Sequence, residues 1–138
     1  MSDWHPIYAG IRAAFLADGA ATTIASLAPA TQWHADQLPD RKTLLALRYT
    51  ILAEPPHQRL ASGDNITAEV QIDAYGERQD EAAVKALADA VVRLLDRVSI
   101  TATGYSSVRS MCIDKPRPFK EKPYFRLRTR FRMFGTAA

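Results

Sequence analysis

Between Asn65 and Tyr75 the chain alternates strictly: Ile66, Ala68, Val70, Ile72 and Ala74 fall on one side, Thr67, Glu69, Gln71, Asp73 and Tyr75 on the other. A period of two predicts a strand with one buried and one wet face. Residues 41–54 carry the same period through Leu45, Leu47, Tyr49 and Ile51, and Pro55 and Pro56 stop it, since proline has no N–H to give to a ladder. From Tyr124 to Phe134, the residues Phe125, Leu127, Thr129, Phe131 and Met133 alternate with Arg126, Arg128, Arg130 and Arg132. Residues 106–114 are expected as a short strand, followed by a loop with Pro116, Pro118 and Pro123.

Between residues 80 and 97 the period changes to that of a helix. Val84, Leu87, Ala88, Val91, Leu94, Leu95 and Val98 make one apolar stripe opposite Lys85, Asp89, Arg93 and Asp96. Asp80 stands where it can cap this helix, and Glu81 suits the positive end of its dipole. A first helix is expected over residues 3–18, with Asp3 as cap, Pro6 in the first turn, an Ile7, Ile11, Ala14, Phe15 stripe and Gly19 as the stop. Residues 19–40 have no sustained period and read as a loop with at most a short helical turn. The order helix, strand, strand, helix, strand, strand predicts an α+β fold with two helices packed on one face of a mostly antiparallel four-stranded sheet, with long loops. At 138 residues the chain fits one domain, 1–138, and a two-domain enzyme is excluded.

Composition changes this picture little. With 47% hydrophobic and 24% charged residues the chain has the make-up of an ordinary globular protein. Cys112 is the sole cysteine, so no internal disulfide and no thiolate-rich zinc site can form, and a reducing compartment is expected. The N-terminal residues have no basic and apolar succession of a secretory signal, and the longest stretch without an ionisable acid, lysine or arginine, residues 19–35, is too polar to span a membrane. A soluble intracellular protein with no membrane contact is expected. Charge is more informative. Residues 109–138 hold nine lysines and arginines against Asp114 and Glu121, a balance of +7, whereas residues 1–108 sum to −4. The high pI therefore belongs to one segment.

No pattern for catalysis or a cofactor emerges. The six glycines, at 10, 19, 63, 76, 104 and 135, are never closer than nine residues, which excludes the Gly-rich phosphate loops. His5, His34 and His57 stand apart without metal-ligand spacing, and no nucleophile elbow is present. Surface or loop roles are the ordinary reading of these histidines. Glu69 and Asp73 share a strand face at a separation of about 13 Å, too far for a catalytic dyad and suited to cross-strand ion pairs. Cys112 reads as a small apolar residue, since no nearby cation or helix start lowers its pKa. The expectation is a protein with no catalytic residues, no metal and no cofactor.

The arginine ladder is the strongest chemical feature. Arg126, Arg128, Arg130 and Arg132 project from one strand face at ~6.8 Å intervals. Three roles fit: a solvated or edge-protecting face paired to Glu69 and Asp73, an ionic contact with an acidic surface of another subunit, or a phosphate-tracking stripe. Two acids cannot neutralise four arginines. Tyr124 and Phe134 flank the ladder, but the sequence shows no interleaved aromatic platform for stacking bases.

The run Val70-Gln71-Ile72-Asp73-Ala74-Tyr75-Gly76-Glu77-Arg78, followed by Asp80-Glu81-Ala82-Ala83 and the helix Val84-Lys85-Ala86-Leu87-Ala88-Asp89-Ala90-Val91, resembles the tail completion or tail terminator proteins of long-tailed phages and gene transfer agents. A Tyr8-Ala9 phrase in the first helix and the C-terminal strand alternating arginine and aromatic residues agree in outline. The chain departs from the family at Arg41-Lys42-Thr43-Leu44-Leu45, where a Leu-Pro-Tyr-like entry is usual, and in its basic, proline-rich residues 114–123. The resemblance implies a non-enzymatic virion protein at the head-proximal neck of the tail, assembled in the host cytoplasm. It implies a ring of copies of itself, usually six, meeting the major tail tube protein and a head–tail connector or stopper protein, with genomic DNA passing through the lumen without specific binding. Rim contacts are expected on the loops at residues 53–65 and 114–123, although both loops equally suit simple connections. The expected interface set is Arg126, Arg128, Arg130, Arg132, Glu69, Asp73, His57, Arg59, Lys115, Arg117, Lys120 and Lys122. The competing reading is a small basic nucleic-acid-binding α+β module, for which no aromatic RNA-binding signature or GxxG loop is present.

Overall fold

The computed structural model describes residues 6–35, 45–53, 65–121 and 124–137. Within them the chain runs α1 (Pro6–Leu16), α2 (Ile24–Leu27), a 3-10 turn (Ala30–Gln32), β1 (Trp33–Ala35), β2 (Ala46–Ala53) and β3 (Asn65–Glu77). A second 3-10 turn (Arg78–Asp80) leads into α3 (Glu81–Leu95), β4 (Val98–Ile100), β5 (Tyr105–Glu121) and β6 (Tyr124–Ala137).

The class is α+β as expected, but among the described residues the sheet has six strands, in the order β1-β2-β3-β6-β5-β4, and three helices accompany it. All neighbours are antiparallel except β1 and β2. Both additional strands are three residues long, too short to show a period. β1 lies in the stretch expected as a loop, and the first residue of β4, Val98, was read as the tail of the helical stripe. Arg97, in left-handed conformation with φ 58°, ends that stripe and turns Val98 into β4.

β5 is also longer than expected. Besides one at its start, Tyr105/Ser107, two irregularities, at Cys112/Asp114 and Asp114/Arg117, interrupt its register with β6, yet pairing resumes and runs to Glu121 opposite Tyr124. Most of the presumed loop at residues 114–123 is thus the arm of a long hairpin. Each bulge inserts one residue and breaks the alternation that would have betrayed a strand. Pro116 and Pro118 lie on this strand beyond the short β4, where no further strand of the described residues needs their missing N–H groups.

The helices cover one face of the sheet. Val84, Leu87, Val91 and Leu95 of α3 are almost wholly buried, with Leu94 partly so, against Val70 and Ile72 of β3 and Leu127, Phe131 and Met133 of β6. Burial of each such side chain is worth about 1.5–3 kcal/mol. Ile7, Ile11 and Phe15 bury the stripe of α1, and Tyr8 stacks edge-on against Tyr49 while its hydroxyl accepts the Ile51 N–H. Gly10 lets α1 approach the main chain after β4: a Cβ there would lie 2.5 Å from the Thr101 carbonyl oxygen.

One expected cap differs. Asp80 occupies the N-cap position of α3, but its side chain makes no capping hydrogen bond. The turn after α1 is organised by Asp18, whose carboxylate accepts the Ala20 and Ile24 N–H groups and both Nη groups of Arg93. The bonds from Arg93 hold the Asp18 carboxyl well below the ordinary carboxylate range, assisted by those two backbone donors and opposed by burial. Asp3 lies outside the described residues. No helix among the described residues is long and apolar enough to cross a membrane.

Candidate protein interface

Register brings the ladder to β3 residue by residue. Arg126 lies opposite Tyr75, Arg128 opposite Asp73, Arg130 opposite Gln71 and Arg132 opposite Glu69. Across β3, Arg48 of β2 also faces Asp73, and across β6 Phe119, Arg117, Asp114 and Met111 of β5 face the four arginines in turn. The two bulges keep these β5 residues on the arginine face while Cys112 and Pro118 pair with the core-side Phe131 and Leu127.

The carboxylates hold the ladder from below. Asp73, with no solvent exposure, accepts hydrogen bonds from Arg48 Nη2 at 2.9 Å, Gln71 Nε2 at 3.0 Å and Arg128 Nε at 3.3 Å. Glu69 pairs with Arg130 at 2.8 Å and with Arg132 at 3.5 Å, and Asp114 pairs with Arg130 at 3.3 Å. The expected pairing of Glu69 and Asp73 with the ladder is present, and Asp114 adds a third acid.

The expectation that Glu69, Gln71, Asp73 and Tyr75 form a wet face needs correction: Gln71, Asp73 and Tyr75 are buried. A strand in the middle of a sheet, flanked by long arginine side chains, is covered even on its polar side, because guanidinium stems lie over their neighbours. Tyr75 illustrates this. Arg48 and Arg126 lie over its ring, each 5.7 Å from the centroid, and its hydroxyl accepts from Arg126 at 3.1 Å. Burial raises the tyrosine pKa, and the Arg126 hydrogen bond opposes that rise. Phe119 is likewise stacked against Arg126 at 5.1 Å and Arg128 at 4.0 Å. The result is a chain of alternating guanidinium and ring, Arg48, Tyr75, Arg126, Phe119 and Arg128, each contact worth roughly 0.5–2 kcal/mol. Nε atoms of Arg48 and Arg130 are buried without a hydrogen-bond partner among the described residues.

The expected interface residues separate. Arg117 joins the ladder, opposite Arg128. Lys115 turns to the helix side, where with Lys85, Glu81, Asp89, Pro116, Pro118, Phe125 and Leu127 it lines a cleft of about 550 Å³ between α3 and the hairpin arm. The main chain of Lys120 pairs with Phe125. His57, Arg59 and Lys122 lie outside the described residues. Arg48 and Phe119 were missed as members of the face, and Tyr75, read on the same side as Glu69 and Asp73, was left out of the interface set. Arg48 was legible, since it alternates with Leu47 and Tyr49; Phe119 was hidden by the bulges before it.

Metal or nucleophile chemistry gains nothing from this geometry. Among the described residues no group of three His, Cys, Asp or Glu side chains stands together to hold a metal ion. The pKa of His34 on β1 is lowered by burial and then by the Arg12 charge. Cys112 is half-buried, donates to the Asp114 carbonyl at 3.4 Å, and has its thiol pKa raised by burial and by the Asp96 and Asp114 charges. That is the opposite of an activated thiolate.

The sequence matches the family described as tail completion protein gp17 over residues 9–134. The chain belongs to that family. No curated protein matches the sequence. The fold is similar to that of a chain in the virion of a native gene transfer agent particle, with a TM-score of 0.72 and 16% identity, covering 96% of each chain. The family places this tail completion protein among the structural components of phage-like tails. The six-stranded sheet with its helices on one face is therefore the scaffold of a tail protein.

Proposed function

We propose that this tail completion protein forms a ring, of six copies, that caps the head-proximal end of the tail tube and joins it to the head connector. The observation that carries this reading is the family match, which runs from within α1 through all four arginines of β6. A small α+β unit can build such a ring by repeating one heterologous contact around a rotation axis, leaving two rims for different partners. The tail tube protein and the connector or stopper are the partners on those rims. No catalytic step belongs to the role.

The lumen reading follows from charge. A channel for DNA must not hold it, because every phosphate contact adds affinity and salt dependence, multiplied by the number of subunits. Glu69, Asp73 and Asp114 compensate much of the ladder within the subunit, which supports a passage without specific binding. The nucleic-acid module is the weaker reading for a further reason: the rings of Tyr75 and Phe119 are covered by guanidinium groups and offer bases no open stacking surface.

Imaging of assembled tails with the labelled protein tests the assignment. One ring at the head-proximal end is the expected result, and deletion of the gene should leave heads and tails unjoined, with tails of irregular length. Label distributed along the tube or at the distal tip would remove the reading.

A further inference from the structure

Arg117 stands apart from the rest of the arginine face. It lies directly opposite Arg128 in the ladder between β5 and β6, is exposed, and has no ion-pair partner among the described residues. Like charges placed opposite one another on a sheet are destabilising. The carboxylate nearest in register, Asp73, is already shared between Arg48 and Arg128. Asp114 is taken by Arg130. A surplus positive charge thus sits where no carboxylate among the described residues pairs with it.

Beside it is a small recess of about 100 Å³, walled by Asp114, Arg117, Phe119, Arg128 and Arg130. That is room for a carboxylate, given that one water occupies ~30 Å³ of liquid volume. Farther along the same face, Met111 and Phe134 are more than half exposed. They belong to adjacent cross-strand pairs, Met111 with Arg132 and Arg109 with Phe134, and so form a diagonal apolar ledge between two arginines. Exposed aromatic, methionine and arginine side chains without lysine are the composition of a protein-binding surface.

We propose that this face seats an extended, acidic protein segment: a carboxylate enters the recess between Arg117 and Arg128, and an apolar side chain of the same segment rests on Met111 and Phe134. Arg128 and Phe134 are six residues apart on β6, which sets the spacing between the two anchors at about 20 Å, or about six residues of extended chain. Charge complementarity selects the acid. Phosphate chains fit less well, because Glu69, Asp73 and Asp114 interrupt the positive stripe. That the segment belongs to a neighbour in the tail rests on the ring reading; the seat itself does not.

Binding of a labelled peptide to the purified protein is the test. The probe carries a glutamate and a phenylalanine about six positions apart, in both orders, with serine and threonine between; the controls are its glutamine counterpart and a short DNA duplex. The glutamate peptide is expected to bind at least tenfold more tightly than the glutamine peptide, on the order of one charge-assisted contact. Arg117→Gln should remove that preference while leaving the denaturation midpoint unchanged or higher, because it relieves the opposition to Arg128. Phe134→Ser should weaken both peptides alike. Equal binding of the two peptides, tighter binding of the duplex, or a lowered midpoint in Arg117→Gln would each overturn the proposal. Imaging that moves the protein away from the neck removes the ring reading and leaves the peptide result standing, so the two can fail separately.

Discussion

Asp73 and Arg128 are direct cross-strand partners, and the carboxylate, fully removed from solvent, accepts the Nε–H of the arginine at 3.3 Å while holding Arg48 at 2.9 Å on its other oxygen. One acid in the middle of the sheet therefore joins β2, β3 and β6. Removing one member of a buried charge group leaves the others unpaired, a cost of several kcal/mol.

Asp73→Ala should accordingly lower stability by about 3–5 kcal/mol, measured by denaturant unfolding. Replacing Arg48, Asp73 and Arg128 together by apolar residues of similar size should cost less than the single change. A triple variant as unstable as the single one would show that the cost comes from packing and not from stranded charge.

Asp18 predicts an acid-sensitive turn. Its carboxyl pKa is depressed in the folded chain by the Arg93 bonds, so the unfolded chain takes up the proton more readily and acid favours unfolding. The contribution is whole above the ordinary value of 3.8 and declines as pH falls below it toward the depressed folded value. Asp18→Asn should be less stable than the parent at neutral pH, and the difference should shrink on acidification below about pH 4. A difference independent of pH would assign the effect to the backbone hydrogen bonds alone.

Gly10→Ala sets helix propensity against contact. Alanine favours a helix interior over glycine by about 1 kcal/mol, but its Cβ would meet the Thr101 carbonyl oxygen at 2.5 Å, a backbone atom that cannot rotate away. The contact should win, giving a net loss of about 1–3 kcal/mol. A more stable variant in thermal unfolding would mean that α1 and the chain after β4 separate freely.

Leu87→Ala removes the centre of the α3 stripe, a side chain with no solvent exposure. A loss of about 2–5 kcal/mol is expected. An unchanged denaturation midpoint would mean that α3 does not carry the core of the subunit.

The sequence by itself determined the elements whose periods are long and uninterrupted. The stripe of α3, the alternation of β3 and that of β6 each run far enough for burial on one side to be read directly, and the helix-on-sheet class follows from them. The arginine face was legible as a row, and its pairing to Glu69 and Asp73 was expected. The tertiary structure decided what no period can carry. β1 and β4 are three residues long and owe their strand conformation to the neighbours they pair with. β5 is broken in register by two bulges between Cys112 and Arg117, so residues with a scrambled alternation still deliver Asp114, Arg117 and Phe119 to the arginine face. The middle of the wet side of β3, at Gln71, Asp73 and Tyr75, became buried because a central strand is roofed by the side chains of both neighbours, and the identity of those neighbours is a property of strand order. Alternation fixes which side a residue takes; only pairing fixes what stands opposite it, and hence whether a charge is satisfied, buried or left to meet another molecule.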